Sequence, residues 1–289
     1  MLVFFTDTDC DITPEIAKEY GFELISMPYF VDEKEIKPYE DWSEFKSKEF
    51  YDMLRRGVLP KTSAISPGQY INYFEPHFKA GNDIIYVHFS KIMSGTFNSL
   101  NIAIEELKEK YPERKFYTID TKAITALSYL IIKQMGVLYK EGKSAEELIK
   151  WADTEVQKYA IYFYADDLTF FRQSGRVSGL AGIMGNLLSI HPIIHMNADG
   201  IMTNISKARG RVNTMEKIIV MVDELQEDIA DYPVVIAHTD ALDIAMKLGE
   251  MLQKKYDHKL NIEYIVVNPT AGSHCGPNSA GIAFHAKHR

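Results

Sequence analysis

The stretch from Asp83 to Leu107 limits most strongly what this chain can fold into. Asp83-Ile-Ile-Tyr-Val-His-Phe89 is a short apolar run, and Phe97, Leu100, Ala103, Ile104 and Leu107 then recur at the spacing of one helical face. Between the two lies Ser94-Gly95-Thr96. A buried strand that enters a helix through such a turn leaves backbone N–H groups and hydroxyls facing the space beyond its carboxyl end, which is an anion site by geometry. The plainer alternative is that Ser94 or Thr96 caps the helix and Gly95 makes the turn.

The same alternation runs through the first half. Leu2 to Thr6 reads as a strand and Asp7 to Thr13 as a loop, with Thr13 capping a helix that has Pro14 at its first position and Gly21 past its end. Phe22 to Phe30 reads as a second strand, followed by a turn at Asp32 to Lys34, and Ser43 to Arg56 as an amphipathic helix closed by Gly57. Ser66-Pro67 has the cap-then-proline order of a helix start, which leaves the hydroxyls of Thr62 and Ser63 in the connecting loop without capping duty. Lys115 to Ile119 is another strand with Asp120-Thr121 at its end, and Ser144-Ala-Glu-Glu147 is a capping box. Strands and helices in this order imply a mostly parallel sheet covered on both faces. The loops at Asp7 to Asp11, Thr62-Ser63, Ser94 to Thr96 and Asp120-Thr121 would gather at its carboxyl edge.

The second half has a different texture. Ala160 to Ala165 is a strand, and Asp166 to Ser178 is a short helix, a glycine turn at Gly175 and a new helix cap. Pro192 to Met196 and Ile201 to Ser206 are joined by Asn197-Ala-Asp-Gly200, a hairpin turn, so antiparallel pairing begins here. Helices near Val212 to Glu227 and Ala241 to Tyr256 flank strands at Val234 to His238 and Ile262 to Val267. Asn268 to Phe284 reads as a glycine-rich loop running into a final strand. The fold class is therefore α/β in two domains: residues 1–161, a parallel α/β domain, and residues 162–289, an α+β domain with a largely antiparallel sheet. The loop at 268–280 is expected to return to the site.

Composition removes several function classes. With 289 residues, 46% of them hydrophobic and 12% aromatic, the chain has enough apolar material for one large or two ordinary cores. Its 32 basic and 40 acidic residues give a net charge of −8, which argues against nucleic-acid binding by the protein as a whole. Cys10 and Cys275 match no disulfide framework or metal spacing, and a reducing cytoplasm is the expected location. The amino terminus reads as a first strand without the basic region of a signal peptide. The most apolar helix, near Ile124 to Tyr139, is interrupted by Lys133 and too short to span a bilayer, so no stable membrane insertion is expected.

Asp7-Thr-Asp-Cys-Asp11 invites three readings. It fails as a calcium loop, because its sixth position is Ile12 and its twelfth Lys18. It could be the nucleophile loop of a phosphatase using Asp7 and Asp9, or a solvated turn capping the next helix. Ser94 and His274 could belong to a hydrolase, though the Gly-x-Ser-x-Gly elbow is missing. His274 could equally be a neutral hydrogen-bond donor to an anion or a plain loop residue, while His191 and His195 read as packing or edge residues. Arg172, Arg176, Lys207, Arg209 and Arg211 form a basic patch in an acidic protein, either a solvated face or a surface for a partner or a phosphate.

Taken together, Asp7-Thr-Asp-Cys-Asp11, Thr62-Ser63, Ser94-Gly95-Thr96 with Ser99, Ser174-Gly175-Arg176-Val-Ser178 and His274-Cys-Gly276-Pro277 resemble, in order and separation, the motifs of the DegV family over essentially the whole chain. It departs from that pattern at Thr8, where serine is common, at Ser174, often glycine, and at Asn278, often glycine. The resemblance implies a two-domain α/β protein that is not an enzyme and uses no metal or cofactor. It implies a buried long-chain fatty acid such as palmitate, with Thr62 and Ser94 on the carboxylate and His274, Ser63, Gly95 and Thr96 nearby. It also implies a fatty acid kinase as partner, making an acyl-phosphate for phospholipid synthesis. Elementary energetics agree: about fifteen methylenes leaving water are worth on the order of 12 kcal/mol, so the polar end needs only to be satisfied. Hydroxyls and helix N–H groups can do that without a lysine or arginine.

Overall fold

A computed structural model describes residues 1–179 and 189–289. The chain opens with β1 (Leu2–Asp7), α1 (Pro14–Tyr20), β2 (Phe22–Ile25), β3 (Tyr29–Val31), β4 (Lys34–Ile36), α2 (Ser47–Arg55), β5 (Lys61–Thr62) and α3 (Pro67–Lys79). It continues through β6 (Asp83–His88), α4 (Thr96–Lys110), β7 (Phe116–Asp120), α5 (Ala126–Lys140), α6 (Ala145–Glu155), β8 (Tyr159–Tyr164), α7 (Thr169–Ser174) and β9 (Val177–Ser178). After β10 (Ile190–Met196) and β11 (Met202–Arg209) come α8 (Arg211–Leu225), β12 (Val234–His238), α9 (Leu242–Lys255), β13 (Ile262–Val266), α10 (Pro269–Cys275) and β14 (Ala280–His285).

Local chemistry explains the main boundaries. Thr13 caps α1 by accepting from the Ile16 N–H, and Gly21 ends it in the left-handed region at φ 76°. Ser66 with Gln69, and Ser144 with Glu147, each form reciprocal capping boxes that start α3 and α6. The β3–β4 hairpin turns on Asp32 and Glu33, both at positive φ, as a two-residue turn between paired Val31 and Lys34 requires.

Among the described residues three sheets result. A four-stranded sheet has the order β2-β1-β6-β7 and is parallel throughout. A three-stranded antiparallel sheet, β4-β3-β5, carries Thr62 at its edge. A seven-stranded sheet has the order β13-β12-β14-β8-β10-β11-β9 and is antiparallel except at β12–β13 and β11–β9. This is the α/β architecture expected, a parallel sheet flanked by helices together with a separate, mostly antiparallel sheet.

Helix α5 is apolar nearly all round because it lies between sheets. It packs against β8, β12 and β14 on one side, while Tyr139 packs tilted against Phe4 and donates to the Leu2 carbonyl on the other. Gly136 allows the close approach, since a Cβ there would lie 2.5 Å from the Tyr20 ring. Lys133, the one charge in its apolar run, pairs with Glu263 on β13 at 2.8 Å.

Several expectations are corrected. Phe22 to Phe30 is not one strand: the chain leaves the parallel sheet after Ile25 and restarts at Tyr29, with Pro28, which has no ladder N–H, between the two. Helix α2 starts at Ser47 and not Ser43, after Trp42 and Phe45 stack at 5.6 Å. The loop expected from Asn268 is helical as far as Cys275, because Asn268 caps it by accepting from the Ala271 N–H and Pro269 occupies its first position. Val177-Ser178 is a short strand beside β11, and the helix expected beyond it falls outside the described residues.

Gly281 on β14 pairs with Phe163 on the antiparallel neighbour β8, and a Cβ there would lie 2.3 Å from the Phe163 Cβ and 2.9 Å from the Tyr162 carbonyl oxygen. Backbone must shift to admit it. Gly281→Ala is therefore expected to cost about 2–3 kcal/mol in urea unfolding, and an unchanged midpoint would contradict this packing.

Candidate functional site

The carboxyl edge of the parallel sheet faces one side of the seven-stranded sheet, and the space between them is a cavity of about 180 Å³. One water needs roughly 10–15 Å³ on this measure, so the cavity is a binding volume and not a packing defect. Met27, Phe89, Ile161, Met196, Met202 and Val267 line its interior, all nearly inaccessible to solvent except from the cavity itself. The walls thus come from loops after β1, β2 and β6 on one side and from β8, β10, β11, β12 and β14 on the other.

The opposite end is polar and reaches the surface. Thr62, Ser94 and His274 line it half-buried, and Ser63, Gly95 and Arg176 line it exposed. Thr62 Oγ1 and His274 Nε2 are 3.0 Å apart, joining β5 to α10. Burial, with the Arg176 cation beside it, lowers the His274 pKa to about 4, so the imidazole is neutral at pH 7. The Ser94 hydroxyl accepts the Thr96 N–H at 3.2 Å, which makes the turn into α4 and keeps the serine proton free to donate outward.

Of the residues singled out from the sequence, Thr62, Ser63, Ser94, Gly95 and His274 therefore meet at one mouth. Thr96 lies nearby but is spent on structure, since its hydroxyl receives the Ile65 N–H and contacts the Tyr70 hydroxyl at 3.0 Å. Asp120-Thr121 is also structural: Thr121 donates to the His88 carbonyl, and Asp120 accepts the Lys122 N–H. His274 pairs with Thr62 and not with Ser94.

The Asp7 loop is not the solvated turn that was one reading of it. Asp7 is fully buried, with one oxygen taking the Asp9 N–H and the Cys10 thiol and the other taking the Tyr86 hydroxyl and the Phe89 N–H. A nucleophile so enclosed cannot reach a phosphate. Asp11 accepts both the backbone and side-chain N–H of Asn268, which ties β1 to the start of α10. Burial outweighs these bonds and raises Asp7 and Asp11 each to about 7. Among the described residues no group of His, Cys, Asp and Glu has the arrangement to hold a metal ion.

The five cations do not form one patch. Arg176 is at the mouth, its guanidinium bonded to the Ser174 carbonyl, while Arg172 lies on α7. Lys207 and Arg209 are exposed on one face of β11, and Arg211 begins α8 paired with Asp166. Because Val177 pairs with Met202, Arg176 is on the order of 20 Å along β11 from Lys207. His191 lies 3.3 Å from the same Asp166, a packing position, as does His195 against Tyr162.

Sequence reasoning passed over Arg176 as a mouth residue and over Asp9, Thr125, Thr239, Thr270 and Ser279 as wall residues. The Asn268-Pro269 cap was the missing signal: once α10 is a helix, Thr270 and His274 fall one turn apart on one face.

An α/β chain whose parallel and antiparallel sheets close around an apolar cavity with a hydroxyl-lined mouth defines a class of its own, and the comparisons place it. The family described as "Uncharacterised protein, DegV family" matches residues 2–287. A DegV domain-containing protein of Clostridium perfringens is 33% identical over 283 residues, covering 98% of this chain and 96% of that one. The chain belongs to the DegV family. Its fold is shared with a stearic acid-binding protein from Eubacterium ventriosum, at a TM-score of 0.86 and 21% identity over 99% of both chains. It is shared too with the Streptococcus pneumoniae Fatty Acid Kinase B3 protein loaded with linoleic acid, at a TM-score of 0.82 and 18% identity, covering 99% of this chain and 100% of that one. Among the described residues no helix is long and apolar enough to cross a membrane.

Proposed function

We propose that this protein binds a long-chain fatty acid, carboxylate at the mouth and chain in the interior, and presents the carboxylate to a partner kinase for acyl-phosphate formation in phospholipid synthesis. The observation that carries this is the polarity gradient of this cavity. Hydroxyls of Thr62 and Ser94 with a neutral His274 stand at the surface, and methionines, isoleucine, phenylalanine and valine stand behind them. Neutral donors satisfy an anion without a buried countercharge, and the exposed Arg176 adds a cation on the solvent side. Burial of methylenes, each worth about 0.8 kcal/mol, supplies the affinity. The stearic acid and linoleic acid bound by fold relatives support the same ligand class. A carboxylate held at an open mouth is reachable by a second protein, so the chain itself needs no catalytic group.

Mass spectrometry of an organic extract of the purified protein is the direct test. Stoichiometric fatty acid is expected, and an extract without acyl chains, together with failure to take up added fatty acid, would overturn the reading. The kinase step has its own test. Lys207 and Arg209 stand away from the cavity, so Arg209→Glu with Lys207→Glu is expected to slow kinase-coupled acyl-phosphate formation at least fivefold through lost charge attraction. Equal rates would remove this face as the docking surface.

A further inference from the structure

The cavity holds a second polar group that the carboxylate reading does not use. Asp9 lines the wall and is only 6% exposed, and its Oδ1 meets no hydrogen-bond partner. Its backbone carbonyl accepts the N–H of Thr125, so Thr125 brings a hydroxyl to the same wall, itself 9% exposed. Thr125 holds this place at φ 51°, an unusual conformation for a β-branched residue. The mouth residues reach solvent, whereas Asp9 and Thr125 sit among the buried apolar wall. The Thr270 proton is committed, donated to the Met27 carbonyl at 3.0 Å, and Thr239 already accepts the Ser279 N–H at 2.7 Å.

We infer that Asp9 and Thr125 form an interior polar station, and that the acyl chains this cavity takes include ones bearing a hydroxyl group, which the station hydrogen-bonds. This rests on the fatty-acid reading. Burial, and then the neighbouring Asp7 and Asp11, raise the Asp9 carboxyl well above its ordinary range, which favours the protonated form, one that both donates and accepts. Electrostatics decide what it meets. A ligand carboxylate is drawn to the mouth, where Arg176 stands, and is repelled by any ionisation among three clustered aspartates. The group at Asp9 is therefore uncharged. Thr270, in contact with the Asp9 carboxyl, precedes His274 by one turn of α10, about 6 Å, so the oxygen lies within the first several carbons of the chain. A bare methylene there leaves a buried acid unsatisfied, whereas a hydroxyl exchanges both hydrogen bonds.

The test is competition. Lipid-stripped protein is offered equimolar stearic acid and positional isomers of hydroxystearic acid, and the bound fraction is read by mass spectrometry. Wild-type protein is expected to favour at least one isomer hydroxylated near the carboxylate over stearic acid by about fivefold. In Asp9→Leu that ratio falls below one, and in Asp9→Asn, which keeps a donor and an acceptor, it stays above one. If Asp9→Leu does not fold, Thr125→Val carries the test with an expected drop of about threefold in the same ratio. Wild-type preference for stearic acid over every isomer, or a ratio unchanged in the variants, overturns the inference and leaves the fatty-acid reading standing. Uptake of neither acid by the wild type overturns both.

Discussion

Protein carrying Thr62→Ala together with Ser94→Ala is expected to hold fatty acid at least a hundredfold more weakly than wild type while unfolding at nearly the same midpoint. Each substitution removes one neutral donor from a carboxylate, and a hydrogen bond to a charged group contributes roughly 1.5–3 kcal/mol, so the pair amounts to about 3–6 kcal/mol of binding. Thr62→Ala alone should lose more than Ser94→Ala alone, because it also frees His274 Nε2 from its 3.0 Å partner. Stability should be spared, since both side chains are half-buried at the mouth and outside the packed cores. Titration with a fluorescent fatty acid reads the first quantity and thermal unfolding the second. Wild-type affinity in the double variant would remove the carboxylate from this mouth.

The second large effect is on stability against pH. Asp7 and Asp11 titrate near 7 in the folded chain, against about 3.9 when unfolded. The folded state therefore holds more protons between these values, so stability falls as pH rises from about 4 to about 7 and levels off above. His274, lowered to about 4, works in the opposite direction between about 4 and 6.5, so the variant must be compared with wild type at each pH. Asp11→Asn keeps an acceptor for both Asn268 N–H groups and cannot ionise. It is expected to gain on wild type by about 2.5 kcal/mol between pH 5 and pH 8 in urea unfolding. A constant difference across that range would show that Asp11 is ionised throughout.

Much of the site could be read before any coordinates. Thr62 and Ser63 stood out because Ser66 already served as the cap of α3, and Ser94 because it followed a buried strand. Local signals of that kind are written in neighbouring residues. What escaped was non-local. Thr96 looked as free as Ser94, yet its hydroxyl is taken by Ile65 and Tyr70, 31 and 26 residues away in sequence. The burial of Asp7, Asp9 and Asp11 depends on Tyr86, Asn268 and the opposing sheet, none of which their own sequence neighbourhood specifies. Arg176 reached the mouth through the pairing of Val177 with Met202, a contact that no periodicity announces. A local miss at the site was Asn268-Pro269, where a glycine-rich composition masked an ordinary helix start.

The position of α5 has a consequence for how the molecule comes apart. A helix that gives one side to the parallel sheet and the other to β8, β12 and β14 cannot be released by either half alone. Melting should then be a single calorimetric event in which the van't Hoff and measured enthalpies agree. Occupancy between the sheets would displace that whole transition to higher temperature without splitting it.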